Sequence, residues 1–214
     1  MPNWCDTVVA IYGNSENVLS MYDTIKTLCN NESRVENGFG NSWEGNVLDA
    51  YGIDWHAIHC RGEITDYRIE YEDGDKNKPY LLLCQMDAWS PNVDYLDKVI
   101  KKAGYDLDLM FIAEEPGSEI YITTDSSGRF LKDKYTIDCY AGKDMPELGL
   151  KREESICEYF TSEKDVVDYM AKRGCKYTSW NQIREAFLNN MEDFDWLTVE
   201  EFEVIDDDVY ITKT

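Results

Sequence analysis

The sequence predicts an α+β fold: one antiparallel sheet with two helices on a single face, an extra hairpin, and a small C-terminal α+β segment. Three observations carry that prediction. Short β-branched or alternating runs occur in the order strand, helix, strand, strand, helix, strand. Both helical stretches repeat apolar residues at helical spacing between recognisable start and stop signals. The 214 residues are 43% hydrophobic and 13% aromatic, enough apolar material for a packed core.

Val8 to Tyr12 is a β-branched and apolar run ending at Gly13, which predicts a strand. Ser15 is the expected N-cap of a helix that places Val18, Met21, Ile25 and Leu28 on one face and stops at Asn30-Asn31. Residues 31–46 are polar and Gly-rich and predict a long loop holding Phe39 and Trp43. Ile64 to Glu72 alternates, with Tyr67, Ile69 and Tyr71 on one face of a half-exposed strand. A turn over Asp73 to Pro79 leads into Tyr80 to Met86, nearly all apolar and expected to be a buried central strand. A helix opened by Pro91-Asn92 then carries Val93, Leu96, Val99 and Ile100 inward and closes at Gly104. Leu107 to Ala113 is a further strand, with Ile120 to Thr123 as its hairpin partner and Tyr135 to Tyr140 as a second extra strand. The order is that of the split β-α-β, or ferredoxin-like, arrangement.

Hydrophobic periodicity lapses between Gly142 and Gly149, which divides the chain into a ferredoxin-like domain over 1–142 and a C-terminal segment over 143–214. In the second part Ser162 and Ser179 are expected to cap two helices. Phe202, Val204, Val209 and Ile211 flank Asp206-Asp207-Asp208 as a final hairpin.

Two short motifs carry a resemblance. Met1-Pro2-Asn3-Trp4-Cys5 runs directly into a strand, and Asp87-Ala88-Trp89-Ser90-Pro91 follows the third strand. In both, the chain resembles the YubB-like ferredoxin-like domain family of plasmids, phages and other mobile elements, over about its first 125 residues. The resemblance implies a fold and a mobile-element origin and supplies no activity. The family's Trp-Gly-x-Lys-Trp element is incomplete here: the region reads Trp43-Glu44-Gly45-Asn46-Val47.

Charge narrows the partners. There are 43 Asp and Glu against 21 Lys and Arg, a net charge of −22 with a pI near 4.3. Such a field repels nucleic acid and anionic membrane and attracts basic surfaces. Residues 192–214 hold nine acids and one Lys. A face of carboxylates imitates the potential of duplex DNA, which presents one charge per roughly 1.7 Å. The expected partner is therefore a basic protein surface, such as that of a host nuclease or CRISPR effector. The expected contact residues are Glu200, Glu201, Glu203, Asp206, Asp207, Asp208 and Trp43. Acidity serving only solubility, on a small-ligand or enzymatic module with the Trp43 loop as its lid, is the alternative.

Reactive chemistry is poorly marked. His56 and His59 are spaced to share a helix face, yet no Asp, Glu or second Cys lies at a diagnostic offset for a metal. Cys5 or Cys60 beside a His would need an electropositive pocket, which the acidity opposes. No GxxxxGK[ST], GxGxxG or GxSxG run occurs. Trp4 and Trp89, at strand ends, are expected in the core. The seven cysteines are widely spaced without a CxxC, no basic-then-apolar leader opens the chain, and no apolar run reaches roughly 18 residues. A cytoplasmic, non-enzymatic protein without cofactor or metal is the expectation.

Overall fold

The structure, a computed structural model, describes residues 3–31, 35 and 40–206. It is α+β, and the chain divides into two compact units: one through Ser126 and again from Val204, the other over Ser127–Glu203.

The first unit begins with β1 (Trp4–Gly13). Gly13 has φ of 136°, and a Cβ there would lie 2.5 Å from the Asp106 carbonyl, so only glycine permits this close approach. Asn14, not Ser15, caps α1 (Ser15–Asn30), its Oδ1 accepting the N–H groups of Glu16 and Asn17 at 3.0 and 3.2 Å. The Ser15 hydroxyl instead donates to the Asn77 carbonyl. As the spacing predicts, α1 buries Val18, Met21, Ile25 and Leu28.

Of the expected loop over 31–46, residues 32–34 and 36–39, Phe39 among them, lie outside the described residues; its end is a short helix, α2 (Glu44–Ala50). Then follow β2 (Gly62–Tyr71) and β3 (Pro79–Ala88), paired antiparallel with a register shift between Ile64 and Asp66. Next, α3 (Asp94–Ala103) buries Tyr95, Leu96, Val99 and Ile100 and ends at Gly104, whose φ of 66° is the left-handed cap glycine favours. Burying four such side chains contributes roughly 1.5–3 kcal/mol each before entropy is counted. β4 (Leu107–Glu115) and β5 (Ile120–Thr123) form the expected hairpin.

Labelling the remaining strands in chain order gives β6 (Tyr135–Ala141), β7 (Ser155–Phe160), β8 (Phe194–Glu201) and β9 (Glu203–Val204). The first sheet runs β2-β3-β1-β4-β5-β9, with β1 antiparallel to both β3 and β4. Its core joins Val9, Ile11, Leu81, Leu83 and Phe111 to the apolar faces of α1 and α3.

The second unit corrects the reading of Tyr135 to Tyr140. This segment is β6, the central strand of a separate sheet in the order β7-β6-β8, both pairings antiparallel. The compact units therefore change over at Ser126/Ser127, where the sequence pattern suggests residue 142. Hydrophobic alternation says that β6 is a strand; it does not say which strands it pairs with. Two helices, α4 (Glu163–Lys172) and α5 (Trp180–Leu188), are capped by Ser162 and Ser179 as expected. They pack Val166, Met170, Trp180, Ile183 and Phe187 against Ile137, Cys139, Ile156 and Val199. Of the expected final hairpin, residues 207–214 lie outside the described residues.

Candidate functional site

The expected contact residues separate. Glu201, Glu203 and Asp206 are exposed, and Asp207 and Asp208 lie outside the described residues. Glu200 is half-buried, and its Oε2 accepts from Arg184 Nη2 at 2.7 Å while Arg184 Nε donates to the Val199 carbonyl. That carboxylate is already neutralised. The stretch is also divided, since Glu200 and Glu201 close β8 in the second unit whereas Asp206 belongs to the first.

Trp43 is not a surface contact. It is 5% exposed, meets Trp55 edge-on at 5.0 Å, and donates its indole N–H to the Cys60 carbonyl at 3.3 Å. A Cβ on Gly45 would fall 2.2 Å from its ring, so Gly45 makes the room for it. Conversely, Trp4 and Trp89 are not core residues: they are 39% and 49% exposed. Their backbones are tied together, Trp4 in register with Ala88 and the Trp89 N–H donating to Asn3 O at 2.8 Å. Trp89 has φ of 77°, uncommon for a bulky residue.

Two clusters emerge that the sequence pattern does not show. The first is a buried acid pair in the first unit. Glu44, opening α2, and Asp87, near the end of β3, are 0% and 1% exposed and close enough for each to act on the other's titration. Asp87 Oδ2 accepts from Gln85 Nε2 at 2.8 Å, from the Asn92 N–H at 2.9 Å and from the Thr7 hydroxyl at 3.4 Å. Glu44 Oε2 accepts from Asn92 Nδ2 at 2.8 Å. The two remaining oxygens, Glu44 Oε1 and Asp87 Oδ1, meet no well-formed N–H donor among the described residues. A single proton shared between them satisfies both. Burial, and then the charge of Asp87, push Glu44 well above its ordinary range, and burial raises Asp87 as well, so the pair favours holding a proton. Cys5 of β1 stands in register with Asp87, which brings β1, β3 and the start of α2 together here. With both carboxyls sealed from solvent, the pair acts as a fastening and not as an acid and base for a substrate.

The same burial removes Cys5 and Cys60 as nucleophiles: desolvation pushes each thiol up to about 12, and the negative charge of the acid pair adds to the effect, from Asp87 at Cys5 and from Glu44 and Asp87 at Cys60. His56 is exposed and held by Asp54 Oδ1 at 3.0 Å, its ring stacked on Trp55. A cavity of about 250 Å³ is lined by Trp43, Trp55, His56, Ile58, His59, Cys60 and Arg61. That falls below the roughly 300 Å³ at which drug-sized sites begin. Trp43 lines it from the start of α2.

The second cluster is the open face of the second sheet. Alternation and register place Thr136, Asp138 and Tyr140 of β6 on this face, with Ser155, Cys157 and Tyr159 of β7 and Trp196, Thr198 and Glu200 of β8; Thr136 is 2% exposed, so the face is covered at that end and open toward Trp196. Trp196 is 51% exposed and stacks on Tyr140 with ring centroids 5.0 Å apart and planes at 28°. Its indole N–H donates to Asp138 Oδ1 at 3.0 Å. The arrangement presents a fixed π surface beside a carboxylate, which suits a cation.

No protein-family model, curated protein or solved structure matches the chain. No helix among the described residues is long and apolar enough to cross a membrane.

Proposed function

We propose that the chain is a non-enzymatic acidic binding protein of phage or mobile-element type. It occupies the basic, nucleic-acid-gripping surface of a host defence protein, in the manner of anti-restriction or anti-CRISPR inhibitors. One observation carries the reading: the carboxylate excess belongs to both compact units. The first holds 26 acids against 10 bases and the second 17 against 11, net charges of −16 and −6. A field of one sign from both units steers a basic partner and repels nucleic acid. The strand order β2-β3-β1-β4, with α1 and α3 between its strands in sequence, supports the ferredoxin-like and YubB-like part of the reading.

The test is capture from host lysate with the partners identified, then binding of each purified partner across salt and against duplex DNA. Partners with basic grooves are expected, displaced by DNA and weakened by orders of magnitude between about 50 and 200 mM salt. Replacing Glu201, Glu203 and Asp206 together by Lys should weaken binding further. Partners indifferent to both salt and DNA would overturn the proposal.

A further inference from the structure

We propose that the open face of the β7-β6-β8 sheet is an arginine-docking surface, on which a guanidinium of a basic partner protein stacks against Trp196 and pairs with Asp138. The inference deepens the reading of the chain as a binder of basic proteins and rests on it. A sheet that covers one face with helices commonly leaves the other to water, and such a face is ordinarily polar. Here it carries an exposed Trp whose orientation is set before any partner arrives. Tyr140 supports the ring from one side, and Asp138 Oδ1 holds the indole N–H. Little side-chain freedom remains to be lost on binding, which is the condition for a strong anchor.

Charge selects the occupant. Of the nine face positions on the three strands, two are acidic and none is Lys or Arg. Glu200 is answered by Arg184 from α5. Asp138 spends Oδ1 on the neutral indole, leaving Oδ2 for an incoming donor. A planar guanidinium meets both demands, since it stacks on an indole and donates in a fork to a carboxylate; an ammonium does only the second well. A nucleic-acid base would also stack on Trp196, but its phosphates meet Asp138 and a unit of net charge −6.

The experiment follows the Trp196 indole N–H in proton–nitrogen correlation spectra of the full chain, assigned with Trp196→Phe. Hexa-arginine, hexa-lysine and a short single-stranded RNA are titrated in turn. Hexa-arginine is expected to move the Trp196 resonance saturably and to bind roughly 5-fold or more tightly than hexa-lysine. Asp138→Asn keeps an oxygen for the indole N–H and removes the charge; it should weaken hexa-arginine about 5-fold or more with the other indole resonances in place. Trp196→Ala, with binding read by calorimetry, should do the same while the other indole resonances stay in place and show the fold retained; loss of the Tyr140 stack lowers the unfolding temperature only modestly. Equal binding of the two peptides, an unmoved Trp196 resonance, a shift on adding RNA, or a shift on raising protein concentration alone would each overturn the proposal. The reading on which it rests fails separately. If basic partners are captured through charge while Trp196 stays unmoved, only the arginine face falls. If hexa-arginine docks but no basic partner is captured, the face stands and the inhibitor reading falls.

Discussion

Replacing Glu44 by Gln tests the buried acid pair through the pH dependence of stability. In the structure Glu44 holds a proton against Asp87, with Asn92, Gln85 and Thr7 supplying the other donors. Two unit charges in contact repel by about 4 kcal/mol at the effective dielectric of a protein site, so the folded state retains one proton. In the unfolded chain Glu44 loses that proton near its ordinary value of 4.5. The folded value is raised, so above pH 4.5 the folded state binds more protons than the unfolded one, and stability falls as pH rises. The slope is about 1.4 kcal/mol per pH unit, continuing until the folded pair releases its proton. In the Glu44→Gln variant the amide keeps an acceptor for Asn92 and a donor for Asp87 and does not titrate. Its second N–H has no evident acceptor, a pH-independent cost of about 1–3 kcal/mol. Denaturant unfolding of both proteins should be measured at roughly half-unit steps upward from about pH 5, just above the value at which unfolded Glu44 loses its proton. The difference in stability should move toward the Gln variant with rising pH, at up to about 1.4 kcal/mol per unit, because the other acids titrate alike in both proteins. A difference that stays flat across that range would refute the shared proton.

Three further outcomes follow from the same geometry. Gly62→Ala would place a Cβ 2.2 Å from Asp87 Oδ1 and 2.6 Å from the Met86 carbonyl; thermal unfolding should show a loss of about 1–3 kcal/mol or more. Trp43→Ala should cost about 3–5 kcal/mol of stability by chemical denaturation, while partner affinity of the folded protein is unchanged, since the ring is buried. Thiol labelling of the native chain at mildly alkaline pH, read by peptide mass mapping, should modify exposed Cys157 first. Cys5 and Cys139 should react last, because burial removes access and pushes their thiols up to about 12 and about 11.

The features legible in the sequence are those set by neighbours along the chain. The apolar face of α1, the inward residues of α3, its stop at Gly104 and the serine caps of α4 and α5 all rest on contacts within one or two helical turns. The cap of α1 shows the limit: Asn14 and Ser15 are both good caps, and the turn leaving Gly13 chooses Asn14. The helix α2 is hidden because its buried face includes Glu44 and Asn46, polar residues that break an apolar pattern. Nothing local indicates that Asn92 and Asp87 wait to receive Glu44. The tryptophans mislead for the same reason. A strand-end Trp and a loop Trp look alike in composition, but Gly45 and Cys60 enclose Trp43 while Trp4 and Trp89 stay open.

By itself, then, the sequence determined the helices other than α2, most of the strands, the glycine stops and a net charge of −22. Each is a sum or a short-range pattern. Tertiary structure alone decided that β6 centres a second sheet, that Glu44 and Asp87 are buried side by side, and that Trp196 lies on Tyr140 beside Asp138. The physical reason is common to all three: a strand or helix satisfies its own local pattern against many partners, and only packing at long sequence separation selects which partner it meets.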